Sequence, residues 1–291
     1  MNVFRKYKWG GVVFAGPAFL LYTYFIVISI GRSFYYSLNY WDAISPMRFK
    51  GLANYQALFS DPDFAIVMSN TLVGLVSALI IQVGMGLLLA YLIYRTVFGM
   101  RFYRALVYLP VVLAPAAISM MFTLFFNSDV GLFNSLLRAA GLGSLARNWL
   151  SDKNVVFYAV LTPMIYQFIG SYVILILAGM QSIPEEILES AHIDGAGAFR
   201  VFRSIVVPML WDIILMCIIM ITTGSFKAFE HSYIMTWGGP GVRSAFMGVF
   251  MYNTTFLEAD FGGGSAIAML ILVSILLFTT LFRRIVARFD Y

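Results

Sequence analysis

Six stretches of this chain stay apolar for about twenty residues or more, and each is long enough to cross a bilayer core, which needs ~20 such residues in a helix. They run roughly Gly11–Tyr35, Asn70–Tyr94, Ala105–Phe126, Val155–Met180, Val206–Phe226 and Ser265–Phe282. Inside lipid every backbone amide and carbonyl must find a partner within the protein, so runs of this length are helices and not open strands. Three of them hold an internal proline (Pro17, Pro115, Pro163), which membrane helices tolerate as kinks when neighbouring groups satisfy the freed backbone. Composition agrees, with 61% hydrophobic and 11% charged residues, where a soluble domain carries ~25% charged.

The basic residues set the orientation. With the N-terminus inside, Arg5, Lys6, Lys8, then Arg95, Arg101, Arg104, then Arg200, Arg203, then Arg283, Arg284 and Arg288 all fall in short inside segments. The positive-inside rule therefore places both termini in the cytoplasm and explains the net charge of +5 without nucleic acid as a partner. The first apolar run is too long for a signal peptide and lacks a small-residue cleavage site, so it reads as a retained helix. Cys217 has no second cysteine to pair with, and His192 and His231 are far apart with no ligand cluster, so no metal site is expected. The expected fold class is an all-α polytopic membrane protein, a single domain over residues 1–291 with six transmembrane helices. A cytoplasmic element, about residues 183–200, lies between spans four and five.

That element, in EEILESAHIDGAGAFRVFRSIVVP (185–208), is unusually polar for this chain. Ser182-Ile183-Pro184-Glu185 fits a capping box, with reciprocal bonds between Ser182 and Glu185. Glu185 and Glu186 complement the positive end of a helix dipole. A helix of about residues 183–194 is expected to stop at Gly195, which takes left-handed angles freely, and a second start is expected near Ala198. An amphipathic helix lying on lipid needs a basic polar face, and this one is acidic. Its small residues (Ala191, Ala196, Ala198) suit close approach by another protein.

Glu189-Ser190-Ala191, Asp194-Gly195-Ala196 and then Phe202, Ile205 and Pro208 resemble the EAA motif of ATP-binding-cassette importer permeases, with Ser190 in place of an alanine. Thr236-Trp237-Gly238-Gly239-Pro240-Gly241 is similar to the T-x-G-G-P-G segment of the carbohydrate-uptake, maltose-type permeases. The likeness covers almost the whole chain and fits the shorter, six-span first permease of such systems. It implies that the loop is a coupling helix, with Glu189, Ser190, Ala191, Asp194, Gly195 and Ala196 docking on a cytoplasmic ATPase dimer. The implied partners are a second permease in a heterodimer, an extracellular or periplasmic solute-binding protein, a sugar and the bilayer, in a bacterial or archaeal cytoplasmic membrane.

No lysine of the chain follows a glycine, so there is no G-x-x-x-x-G-K-[ST] phosphate loop. The chain is expected to be non-catalytic and to hold no cofactor, with ATP and magnesium on the partner. Thr223, Lys227 and Glu230 recur at i, i+4 and i+7, one face of a continuous helix, and Gln167 and Ser171 share a face of span four. The resemblance implies that these two spans contact the sugar. For Gln167 and Ser171 interhelical hydrogen bonding is the competing reading; for Lys227 and Glu230 it is an i, i+3 ion pair at the membrane rim. Gln82 and Asn253 are weaker candidates. Trp237 reads either as a docking contact or as a membrane-belt residue. Two functional alternatives stand beside sugar import: a permease for glycerol-3-phosphate or another polyol-type solute, and an ion-coupled secondary transporter. The last would usually show inverted repeats and acids at mid-span, and neither is found.

Overall fold

A computed structural model describes residues 8–95 and 99–286; the side chains of 8–14, 192, 285 and 286 lie outside the description. Arg5, Lys6 and Arg288, and the side chains of Lys8 and His192, are therefore outside it too. The described residues are mostly helical. They form two compact units, one of residues 1–61 with 251–270 and one of 62–250 with 271–291.

In the first unit, α1 (Lys8–Tyr22) runs through a π turn (Thr23–Val27) into α2 (Ile28–Ser37). A short antiparallel pair, β1 (Asn39–Tyr40) with β2 (Arg48–Phe49), and α3 (Ala53–Ser60) follow. In the membrane-length stretch Ala15–Ser37 only Ser37, its last residue, is buried, as expected of a helix whose apolar surface faces lipid or another chain. Its end is pinned by Asn54, whose Nδ2 donates to the Ser37 and Asn39 carbonyls at 2.8 and 2.9 Å. The amide of Phe261 donates to the Trp41 carbonyl at 2.9 Å. Gly262 sits against the Asn39 carbonyl so closely that no side chain fits there.

The second unit is built around one helix. α4 (Pro62–Ala78) continues through a π turn (Leu79–Val83) into α5 (Gly84–Tyr94), then α6 (Met100–Val112) and α7 (Pro115–Phe125). After α8 (Leu132–Ala139) comes α9 (Val156–Met180), which packs against α5, α6, α7 and α4 as well as two later helices. Its most apolar stretch is 61% buried, more than in any other membrane-length helix described. Burial over most of its surface, with Tyr158, Thr162 and Tyr166 left exposed along one stripe, fits a helix that is apolar on nearly every face. Then follow α10 (Glu185–Ile193), α11 (Ala198–Val201), a π turn (Phe202–Val206), α12 (Val207–Met209), α13 (Trp211–Phe226), α14 (Glu230–Thr236) and α15 (Met247–Tyr252). A π turn (Asn253–Leu257) and α16 (Phe261–Val286) are the last described elements.

Two of the six expected spans are corrected. Residues 105–126 are not one kinked helix: α6 and α7 meet at 89°. Leu113 and Ala114 are both extended (ψ 144° and 136°), and Pro115 is the first residue of α7, not an internal kink. Proline disfavours helical angles in the residue before it and has no amide to lose at a helix start. Among the described residues, five helices are long and apolar enough to cross a membrane, or six spans if the bent pair counts as one. The fifth expected span, 206–226, is broken at Leu210, and its continuous helix begins at Trp211.

Several hydroxyls within the spans are returned to their own helix. Thr71, Ser119, Thr222 and Thr223 each donate to the carbonyl four residues back, at 2.7–2.9 Å. This satisfies a polar group in lipid without a partner helix.

Candidate functional site: a cavity beside a broken helix, and a capped loop

A cavity of about 260 Å³ opens between α9, the α4–α5 helix and the α13–α14 junction. Gln82, Phe168, Tyr172, Lys227, Glu230 and His231 supply its chemistry. Phe168 and Tyr172 lie one turn apart on α9 and present ring surface. Gln82 is brought in by the π turn Leu79–Val83, and its Nε2 donates to the Ile165 carbonyl at 3.0 Å. Rings, an amide, an amine, a carboxylate and an imidazole around one small space can stack on an apolar face and exchange hydrogen bonds with hydroxyls.

Lys227 and Glu230 line this cavity, but not as neighbours on one helix. α13 ends at Phe226, so the i, i+4, i+7 face expected for Thr223, Lys227 and Glu230 does not exist. Lys227 caps α13 and Glu230 opens α14, and among the described residues they form no ion pair. Thr223 is outside the lining and gives its hydroxyl to the Ile219 carbonyl at 2.9 Å. Ser171 is half-buried and also outside the lining. Asn253 opens the π turn of the other unit.

Gln167 is fully buried behind the wall. Its Nε2 donates to the Leu113 carbonyl at 2.9 Å, and its Oε1 is 2.9 Å from His231 Nε2. A helix end leaves carbonyls without intrahelical partners, and Leu113 is the last residue before the 89° break. Gln167 satisfies that carbonyl from the neighbouring helix, and His231, which faces the cavity, completes the chain of bonds.

The glycine-rich segment after α14 is a tight loop held from inside. Asn70 Nδ2 donates to the carbonyls of Arg243 and Ala245 at 3.0 and 3.1 Å. Ser244 Oγ donates to the Gly239 carbonyl at 2.7 Å and contacts Thr236 Oγ1 at the same distance. The loop delivers Phe246, fully buried, to the cavity. Trp237 is 62% exposed and packs against Tyr233 with the rings tilted at 49° and centroids 4.6 Å apart.

The 183–200 loop has the expected order with one correction. α10 spans Glu185–Ile193, and Gly195 turns it off at φ +75°. The Ala196 amide donates to the Ala191 carbonyl at 2.9 Å, the six-to-one bond of a Schellman cap. α11 then begins at Ala198. The capping box is absent: Ser182 Oγ donates back to the Gly179 carbonyl at 2.7 Å, so α10 begins without it. Glu189, Ser190, Asp194 and Gly195 are exposed, and Ser190 Oγ bonds the Glu186 carbonyl at 2.8 Å. Ala191 is buried and Ala196 half-buried. With Asp194, Arg200, Ser204 and Ile205 they line a groove of about 200 Å³. The outward groups are carboxylates together with Ile193 and Phe199, 86% and 74% exposed. Tyr91 anchors the return, its ring 4.8 Å from that of Phe202.

Comparison with known proteins places this geometry. Over 264 residues the chain is 35% identical to a probable ABC transporter permease protein of Bacillus subtilis (strain 168), YurN, covering 90% of each. It is 30% identical over 274 residues to the multiple sugar-binding transport system permease protein MsmF of Streptococcus mutans, covering 94% of this chain and 93% of that one. The fold matches a chain from the crystal structure of a bacterial ABC transporter involved in import of the acidic polysaccharide alginate, with a TM-score of 0.84 over both full lengths at 18% identity. Residues 62–291 match the binding-protein-dependent transport system inner membrane component family, and the chain belongs to it.

Proposed function

We propose that this chain is the six-span first permease of a binding-protein-dependent sugar importer, sitting in the cytoplasmic membrane with both termini inside. The observation that carries the substrate reading is the cavity, where the ring faces of Phe168 and Tyr172 share a wall with Gln82, Lys227 and Glu230. At about 260 Å³ it is slightly smaller than the ~300–1,000 Å³ usual for ligand clefts, which suits a site completed by a second permease. Alternating access would then be driven by ATP and magnesium on a partner ATPase dimer, with no catalysis in this chain. Among the predicted substrate residues, Lys227 and Glu230 are the ones this reading assigns to the sugar. Gln167 supports the wall, and Ser171 and Thr223 stand outside it.

Lys227→Ala and Glu230→Gln are expected to raise the KM for uptake several-fold, with the affinity of the binding protein for its sugar unchanged. Removing groups that bind ground and transition state alike shifts KM more than the turnover rate. Uptake with an unchanged KM in both variants would overturn the assignment. The Lys227 amine, without an ion pair among the described residues, favours a second reading, an acidic solute such as glycerol-3-phosphate or an acidic sugar. A thermal-shift panel of neutral and acidic glycans on the binding protein separates the two.

The loop carries the coupling role. Gly195 sits at φ +75° with open space around it, so a side chain meets backbone strain and no clash. Gly195→Val is expected to cost about 1–2 kcal/mol locally and to leave membrane insertion intact. ATPase association and uptake should fall together, read by co-purification and vesicle transport. Full assembly with wild-type uptake would remove the coupling role.

A further inference from the structure

Between α7 and α9 the chain carries apolar surface that neither the cavity nor the loop uses. α8 (Leu132–Ala139) is an ordered element with two unlike faces. On its inner face the Phe133 ring lies 5.4 Å from both Phe125 and Phe126 and 4.9 Å from Trp149. Asn134, 2% exposed, pins the segment from within. Its Nδ2 donates to the Ser128 and Arg147 carbonyls, and its Oδ1 accepts from Trp149 Nε1 at 2.8 Å. On the outer face Leu132 and Leu136, one turn apart, are 58% and 53% exposed, and Val130 just before them is 80% exposed.

Three observations say what covers that face. The segment begins and ends on membrane helices, since α7 belongs to the bent pair and α9 is a full-length span. The ring contacts dock α8 on the end of α7, where Met120, Met121 and Leu124 are also more than half exposed, so the apolar surface is continuous with a membrane helix. Arg138, exposed, closes the last turn beside the leucines. An apolar stripe flanked by a cation is the pattern of a helix lying in the headgroup plane.

We propose that α8 is a lipid-surface anchor, with Leu132 and Leu136 turned into the acyl boundary and Arg138 among the phosphates. It would hold the outer end of α7, and so the broken span, at a fixed depth. The inference does not depend on which solute is carried.

The test is site-directed spin labelling of the full chain in nanodiscs of phosphatidylcholine and phosphatidylglycerol, in a Cys217→Ser background. Leu132→Cys and Leu136→Cys carry the label, and Ser151→Cys serves as the water control. Labels at 132 and 136 are expected to relax more with oxygen than with a nickel chelate, and the label at 151 the reverse. A nickel preference at 132 and 136 means the helix stands in water and overturns the proposal. Shielding from both reagents means a protein, a second permease or a binding protein, covers the face, and overturns it equally.

Discussion

Gln167→Leu is expected to destabilise the protein by about 2 kcal/mol or more, read as a lowered midpoint of thermal unfolding in detergent. Leucine nearly conserves volume but strands the Leu113 carbonyl at the helix end and the buried His231 Nε2, each 2.9 Å from the lost amide. An unsatisfied buried polar group costs ~1–3 kcal/mol. Hydrogen bonds between membrane helices average less, ~0.6 kcal/mol in one well-measured case, because unpaired groups find other partners. Here the carbonyl lies at a helix end, so its own helix offers none. Adding His231→Phe to Gln167→Leu should recover part of the loss, since replacing both partners by apolar groups removes the stranded nitrogen. An unchanged midpoint in the single variant would show that the bridge carries no energy. The bridge also ties a cavity-facing histidine to the break between α6 and α7, so uptake should fall further than stability alone explains.

The other large effect is expected at Gly170. A side-chain carbon there would meet the Val107 carbonyl and the Tyr108 Cα, which are backbone atoms of α6. No rotamer change relieves such a contact, so α6 and α9 must separate. Overpacking of this kind costs ~1–3 kcal/mol even where side chains can yield, and small residues are what let membrane helices approach closely. Gly170→Val is expected to give a chain that inserts but is cleaved rapidly in limited proteolysis between α6 and α9. Gly84→Ala is the control: nothing lies within 4 Å of that position, and alanine is the better helix former by ~1 kcal/mol. Equal proteolysis of both variants would mean that the close approach is not needed.

The sequence showed some of this architecture and hid other parts, for identifiable reasons. The stop at Gly195 was readable because a glycine closing an acidic, helix-forming run has one common use. The apolar spans were readable because hydropathy is additive along the chain. Hydropathy carries no direction, however, and so the 89° turn at Leu113–Ala114 passed as continuous; Pro115 signalled it, had it been taken as a helix start. The same assumption of continuity placed Thr223 on a face with Lys227 and Glu230. On α9 the expected contacts were the polar Gln167 and Ser171, and the cavity instead takes Phe168 and Tyr172, each one residue on. Which face of a fully apolar helix meets the cavity is decided by its neighbours, and they are distant in sequence. The preference of sugars for ring faces was the signal available. His231 was considered only as a metal ligand, and Asn70, which staples the glycine-rich loop from 170 residues away, offers no local pattern at all.

The π turn at Leu79–Val83 has a consequence for the phase of the helix that contains it. Ala78, Gln82, Gly86 and Ala90 are all buried, and they recur every four residues. At 3.6 residues per turn, a four-residue step walks about 40° around the axis, so three such steps would carry the buried face a third of the way round. The wider winding of the π turn absorbs that walk. One side of a 33-residue helix thus stays in contact from Phe64 to Ile93, with Gln82 held on that side at the cavity. Deleting one residue from the π turn should convert it to plain α-helix and keep the two halves in phase, because the eleven steps then separating Ala78 from Ala90 turn through about 1,100°, within about 20° of three full turns.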